Sequence, residues 1–178
     1  MPGVTLHSSG SLLYLPFLTG PAGNSGVRGG VDILDAHSGA LRLRILLAQQ
    51  FMTDVDGLHG SFFTIDENGQ RLFAITSIDG TALSAGVTVV TLSRVPLGIG
   101  TLIPASGPAA GGTQIIVRGS GFQSGATVTI GGKTATVTFK DMNTLKVLTP
   151  GLSVGAQRVT ITNPDGETIS WDAAFTAN

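Results

Sequence analysis

Residues Ile103–Phe122 read IPASGPAAGGTQIIVRGSGF, and the identity of this stretch decides the fold. It holds two prolines, five glycines and a single charge, Arg118, around the short apolar run Ile115–Val117. A glycine-rich loop can cradle a phosphate, but that requires a Gly-Lys-Ser/Thr step or a helix N-terminus facing the anion. Neither is present. Thr113–Arg118 instead alternates with period two, as a half-buried strand does. The prolines and glycines are therefore turn residues around a strand. Pro104, Gly107 and Pro108 bend the chain before it, and Gly111 and Gly112 turn into it. Gly119 and Gly121 end it and let Phe122 fold back onto a core.

Further strands follow at short intervals. Ala126–Ile130 turns Val128 and Ile130 inward, and Thr134–Phe139 offers Ala135, Val137 and Phe139. Thr144–Leu148 offers Leu145 and Val147, and Arg158–Thr162 offers Val159 and Ile161. Thr168–Phe175 closes the series. Turn signals separate them: Gly131–Lys133, Asp141–Asn143, Pro150–Gly155 and the NPDG of Asn163–Gly166. Six or seven short strands in about 80 residues is the pattern of an immunoglobulin-like sandwich. Residues 96–100, inside the VPLGIG of Val95–Gly100, read as a linker into this second domain of 101–178.

This half resembles an IPT/TIG domain. The matching features are Pro104–Phe122, the iGG-containing Ala126–Val137, Val147–Pro150, and Gly155–Gly166 with its ItNPdG ending. The resemblance implies a seven-stranded immunoglobulin-like fold of the kind found in exported, multi-domain bacterial surface proteins or beside carbohydrate-active catalytic domains. DNA binding is the other setting in which such a domain occurs, but the chain has a net charge of −1 and no polybasic run.

Residues 1–95 contain a weak internal repeat. Ser8–Phe17 resembles Glu67–Thr76, with Gly10 matching Gly69, Leu13 matching Leu72 and Tyr14 matching Phe73. Each copy is followed by a loop and then by GVDILD (Gly30–Asp35) or GVTVVTL (Gly86–Leu92). In the first copy Asp35–Ile45 adds a hairpin turning at Ala36–Gly39. Leu41–Gln50 could be taken for a helix, but Leu41, Leu43 and Ile45 alternate with Arg42 and Arg44, which predicts a strand. The repeat is similar to blades of YVTN-type β-propellers, loosely and over about two blades. Propellers close with about four to eight blades. The resemblance therefore implies an incomplete propeller-like unit whose exposed sheet edges invite self-association or further chain. The expected class is all-β: partial propeller-like antiparallel sheets, then an immunoglobulin-like β-sandwich.

Composition narrows the chemistry. The 26 glycines without a collagen period indicate many turns. No cysteine is present, which excludes disulfides, zinc-thiolate sites and thiol catalysis. No apolar run reaches membrane-spanning length, and the N-terminus does not resemble a signal peptide. No G-x-S-x-G elbow occurs. His7, His37 and His59 lack partners at ligand spacing, apart from Asp35 near His37 at a turn.

Two sets of candidate site residues remain. Asp54, Asp56, Asp66 and Glu67 offer hard oxygen ligands near glycines, so calcium is the one cofactor candidate. DENG (Asp66–Gly69) is equally a competent β-turn, and no cofactor at all is the leading expectation. Trp171, in the last strand, either packs on the sandwich or forms a contact with a ligand or partner. The expected function is a non-catalytic spacer, docking or protein- or glycan-contacting module of an exported surface protein. The competing expectation is a calcium-dependent lactone hydrolase of propeller type, carried by the acidic group.

Overall fold

The computed structural model describes residues 4–20, 28–52, 63–77 and 85–178. These residues are all β, with no helix, and they divide into two compact units. The first comprises Met1–Ser8 and Leu12–Val95, the second Ser9–Ser11 and Pro96–Asn178.

The first unit holds two antiparallel sheets. β1 (Thr5–Leu6), β2 (Leu12–Thr19), β3 (Arg28–Asp35) and β4 (Leu41–Leu46) form one in sequence order. β5 (Phe63–Ile65), β6 (Arg71–Ser77) and β7 (Ala85–Thr91) form the other. The repeat seen in the sequence is also a repeat of register. Thr5 and Leu6 face Tyr14 and Leu13, and their counterparts Thr64 and Ile65 face Phe73 and Leu72. Gly10 and Gly69 both take positive φ, 76° and 68°, in the turns that join these strands. Within the 41–50 segment, Leu41–Leu46 forms a strand, as its alternation predicts, and residues 47–50 lie beyond it. The segment continues into Phe51, which bridges to Thr76 and packs edge-on against Phe63.

The second unit is a two-sheet sandwich. Its strands are β8 (Gly98–Ile103), β9 (Ser106–Gly107), β10 (Gln114–Ser120), β11 (Thr127–Ile130), β12 (Lys133–Thr134), β13 (Thr136–Asp141), β14 (Thr144–Leu148), β15 (Gly155–Thr162) and β16 (Thr168–Ala177). One sheet runs β13-β14-β10-β8 and the other β12-β11-β15-β16-β9. Ile115, Val117, Leu145 and Val147 from the first meet Val128, Ile130, Val159, Ile161 and Phe175 from the second in one buried core. Alternation along each strand selects these residues, since successive side chains point to opposite faces.

Two details differ from the sequence reading. Residues 96–100 are not a free linker: Gly98 begins β8, and Leu97 and Ile99 are buried in the sandwich core. Thr134–Phe139 is not one strand either. Lys133–Thr134 pairs with β11 while Thr136–Asp141 pairs with β14, so the chain changes sheets at buried Ala135.

The glycines of Ile103–Phe122 act as turn and close-approach residues. Gly111, Gly112 and Gly121 have φ of 86°, 81° and 66°. Gly119 sits at a bulge against β8, and its missing side chain leaves room for the Phe122 ring and the Gly98 carbonyl. The NPDG turn closes with Gly166 N–H donating to the Asn163 carbonyl at 2.9 Å, Gly166 at φ 89°.

Candidate functional site

Asp66 opens the turn between β5 and β6. Its Oδ1 accepts the backbone N–H groups of Gln70 (2.8 Å) and Arg71 (3.1 Å). Its own N–H donates to the Arg71 carbonyl at 2.9 Å. The carboxylate thus completes a turn by satisfying donors that the tight backbone leaves over. Glu67 is exposed, and its carbonyl accepts the Ser8 hydroxyl at 2.8 Å. Asp54 and Asp56 lie outside the described residues. Among the described residues, no three His, Cys, Asp or Glu side chains converge as metal ligands would. Asp35 repeats the turn chemistry: its Oδ1 accepts from the Ser38 N–H (2.8 Å) and the Ser38 hydroxyl (2.6 Å).

The same turn takes part in a buried cluster of residues that lie far apart along the chain. The Tyr14 hydroxyl donates to the Gly69 carbonyl at 3.0 Å, and His7 is buried alongside. A side chain at Gly69 would overlap both the Tyr14 hydroxyl and the His7 ring, so only glycine fits there. Burial pushes the His7 imidazole below its ordinary pKa, while the Asn68 backbone and the Asp66 charge pull the other way. Burial, and then the Asp66 charge, push the Tyr14 phenol upward. The Tyr14–Gly69 hydrogen bond ties the first sheet to the β5–β6 turn of the second. Fifty-five residues separate Tyr14 from Gly69, and no spacing rule links them.

Trp171 lies on β16 opposite Val159 and packs, half-buried, against the sandwich core. Ile169 shares that inward side. The outward residues around it form polar cross-strand pairs: Thr160 with Ser170 at 2.8 Å and Thr162 with Thr168 at 3.0 Å. Such pairs tie neighbouring strands and leave a hydroxyl-rich surface.

The second unit is an immunoglobulin-like β-sandwich. Residues 97–177 match the IPT/TIG domain model. Comparison with curated proteins gives no match. Among solved structures, two of the plexin A4 full extracellular region, covering domains 1 to 8 and domains 1 to 10, align at 14% identity and a TM-score of 0.44. Each alignment covers 93% of this chain, which spans only 18% and 16% of those proteins.

Proposed function

We propose that this chain is a non-catalytic structural and binding module of an exported or cell-surface multi-domain protein, acting through protein contact. The observation that carries this is the match of residues 97–177 to the IPT/TIG domain model, together with the lack of converging metal ligands among the described residues. Protein is favoured over glycan as the partner. A sugar platform needs flat exposed aromatic rings, and Trp171, the chain's single tryptophan, is drawn partly into the core. The bacterial surface setting is part of the same proposal and follows from the kind of protein in which such domains occur.

A calcium-dependent hydrolase has less support, because the Asp66 carboxylate is already engaged by two backbone donors. Two measurements test the proposal. Antibodies against the chain should label intact source cells or the medium; signal confined to the cytosol would overturn the surface assignment. The purified chain should hydrolyse no lactone or ester panel member in calcium, and turnover abolished by chelation would overturn the non-catalytic assignment.

A further inference from the structure

The internal repeat of the first unit sets equivalent residues on opposite sides of its sheet–sheet contact. Tyr14, Val31 and Ile33 of the first sheet are fully buried, and the Tyr14 hydroxyl reaches the Gly69 turn of the second. Their counterparts in the second sheet are Phe73, Val87 and Val89. There Val87 is 70% exposed, Val89 52% exposed, and Phe73 half-buried. The reverse holds for the other side. Leu72 and Ala74 are buried in the second sheet, whereas their counterparts Leu13 and Leu15 are half-buried and exposed in the first.

The two sheets are therefore stacked head to tail. The face of the first sheet that bears Tyr14 meets the face of the second that bears Leu72. Each copy of the repeat has one face of each kind, so the pair leaves one of each kind uncovered. On the first sheet the uncovered face carries a row of four paired leucines, Leu6, Leu13, Leu34 and Leu41, crossing all four strands. Beside it lie Leu15, Phe17 and Leu46. On the second sheet it carries Phe73, Ile75, Val87 and Val89. Exposed contiguous apolar sheet faces of this kind mark association surfaces.

We propose that these two faces bind each other between copies of the chain. The leucine face of one copy seats on the Phe73–Val89 face of the next, repeating the stacking that already joins the two sheets within the unit. The occupant follows from the repeat. The Phe73 face is the counterpart of a face that, inside the unit, packs on a Leu72-type surface, and a second copy supplies that surface on its Leu13 side. The ion pair on the leucine face is compatible with burial, and Arg28, on the same face opposite Thr19, stands exposed at the start of its strand. Arg44 donates to both oxygens of Asp32, at 2.6 and 2.7 Å, and lies over the Phe17 ring at 4.9 Å. The pair thus enters the interface already neutralised and bidentate. The contact is heterologous, because the two faces differ, so it adds copies into a ring or an open stack.

Leu15→Arg blocks the leucine face and Val89→Arg blocks the other, both at exposed positions that leave the buried core unchanged. Light scattering coupled to size exclusion on the full chain should show masses above one chain that rise with concentration. Each variant alone should fall to the mass of one chain with an unchanged circular dichroism spectrum. Mixed in equal amounts, the two variants should form a dimer that grows no further, because one intact face of each kind remains. A wild-type chain that stays monomeric at all concentrations overturns the proposal. So does a single variant that still self-associates, which would indicate pairing of like faces, or a mixture that stays monomeric.

Discussion

Val117 and Val87 are both valines in the middle of antiparallel strands, and they meet opposite fates. Val117 lies between Leu145 and Leu102 and is wholly buried in the sandwich core. Val87 is paired with Ile75 and stands mostly in solvent. The difference extends to whole faces. The sandwich turns its alternating apolar residues onto one shared core and shows Thr160, Thr162, Thr168 and Ser170 outside. The first unit turns apolar residues to both sides of its sheets, so two sheets cannot cover them all. Period-two alternation of apolar with polar residues describes a sheet with one buried face, whereas apolar residues on both sides describe a sheet meant to be covered twice.

The largest expected effect tests that contrast directly. Val117→Asp places an unpaired charge in a closed core and should cost about 3–5 kcal/mol, enough to abolish cooperative folding of the sandwich. Val87→Asp, measured at dilutions where the chain is monomeric, should stay within about 0.5 kcal/mol of the parent. Denaturant titration followed by Trp171 fluorescence reads the sandwich, and circular dichroism reads the whole chain. A large loss from Val87→Asp in a monomeric sample would mean that its face is already covered within one chain.

A second pair of variants compares two glycines beneath aromatic rings. A methyl group at Gly119 would overlap the Phe122 ring and also the Gly98 carbonyl, which is backbone and held in the β8–β10 ladder. Gly119→Ala should cost about 1–3 kcal/mol, the usual range for overpacking a filled site. At Gly30 the three nearest atoms all belong to the Phe17 ring, a side chain on the uncovered face rather than backbone. Gly30→Ala should cost less than Gly119→Ala in the same thermal-melt comparison, and the reverse order would contradict the contrast between a closed and an open face.

The sandwich was largely readable from its residues because its turns and its alternation agree. Gly111, Gly112, Gly121 and Gly166 are glycines at positive φ, and Val128, Ile130, Val159 and Ile161 alternate inward as written. The linker reading of 96–100 failed because proline and glycine also occur at the start of an edge strand, and Leu97 and Ile99 reveal their burial only with the rest of the core in place. The sheet change at Ala135 left no mark, since alternation continues through it unchanged. At the candidate site, Asp66 was legible as a turn residue or a ligand, and only the geometry assigns its Oδ1 to Gln70 and Arg71. The cluster of His7, Tyr14 and Gly69 depends on contacts between distant residues, which spacing does not encode.

That cluster makes the first unit sensitive to pH in a defined direction. Burial lowers the folded-state pKa of His7 below the ordinary imidazole value of 6.5, so the unfolded chain binds the proton more readily. The stability tied to the neutral ring is fully present above pH 6.5 and is lost as the pH falls below that value. Melting temperatures recorded downward from about pH 7 should decline, and His7→Gln should reduce the slope whatever it does to the level. An unchanged slope in the variant would assign the acid sensitivity to other groups.

The smallest expected effects concern backbone alone and should ignore the contrast between units. Ala173 has φ 55°, a left-handed conformation, where the β15–β16 register shifts. An L-residue there carries a strain of about 1–2 kcal/mol that glycine escapes. Glycine also frees the unfolded chain, which returns about 0.4–1 kcal/mol of that gain. Ala173→Gly should therefore raise stability by at most about 1.6 kcal/mol, a rise of a few degrees in melting temperature. The opposite exchange should lower it: Gly166→Ala in the sandwich and Gly39→Ala in the first unit both impose a side chain at positive φ, 89° and 72°, with open space around it. Because neither position touches a sheet face, the two losses should be alike. A loss at Gly39 much larger than at Gly166 would mean that the turn at Gly39 carries more than its own backbone conformation.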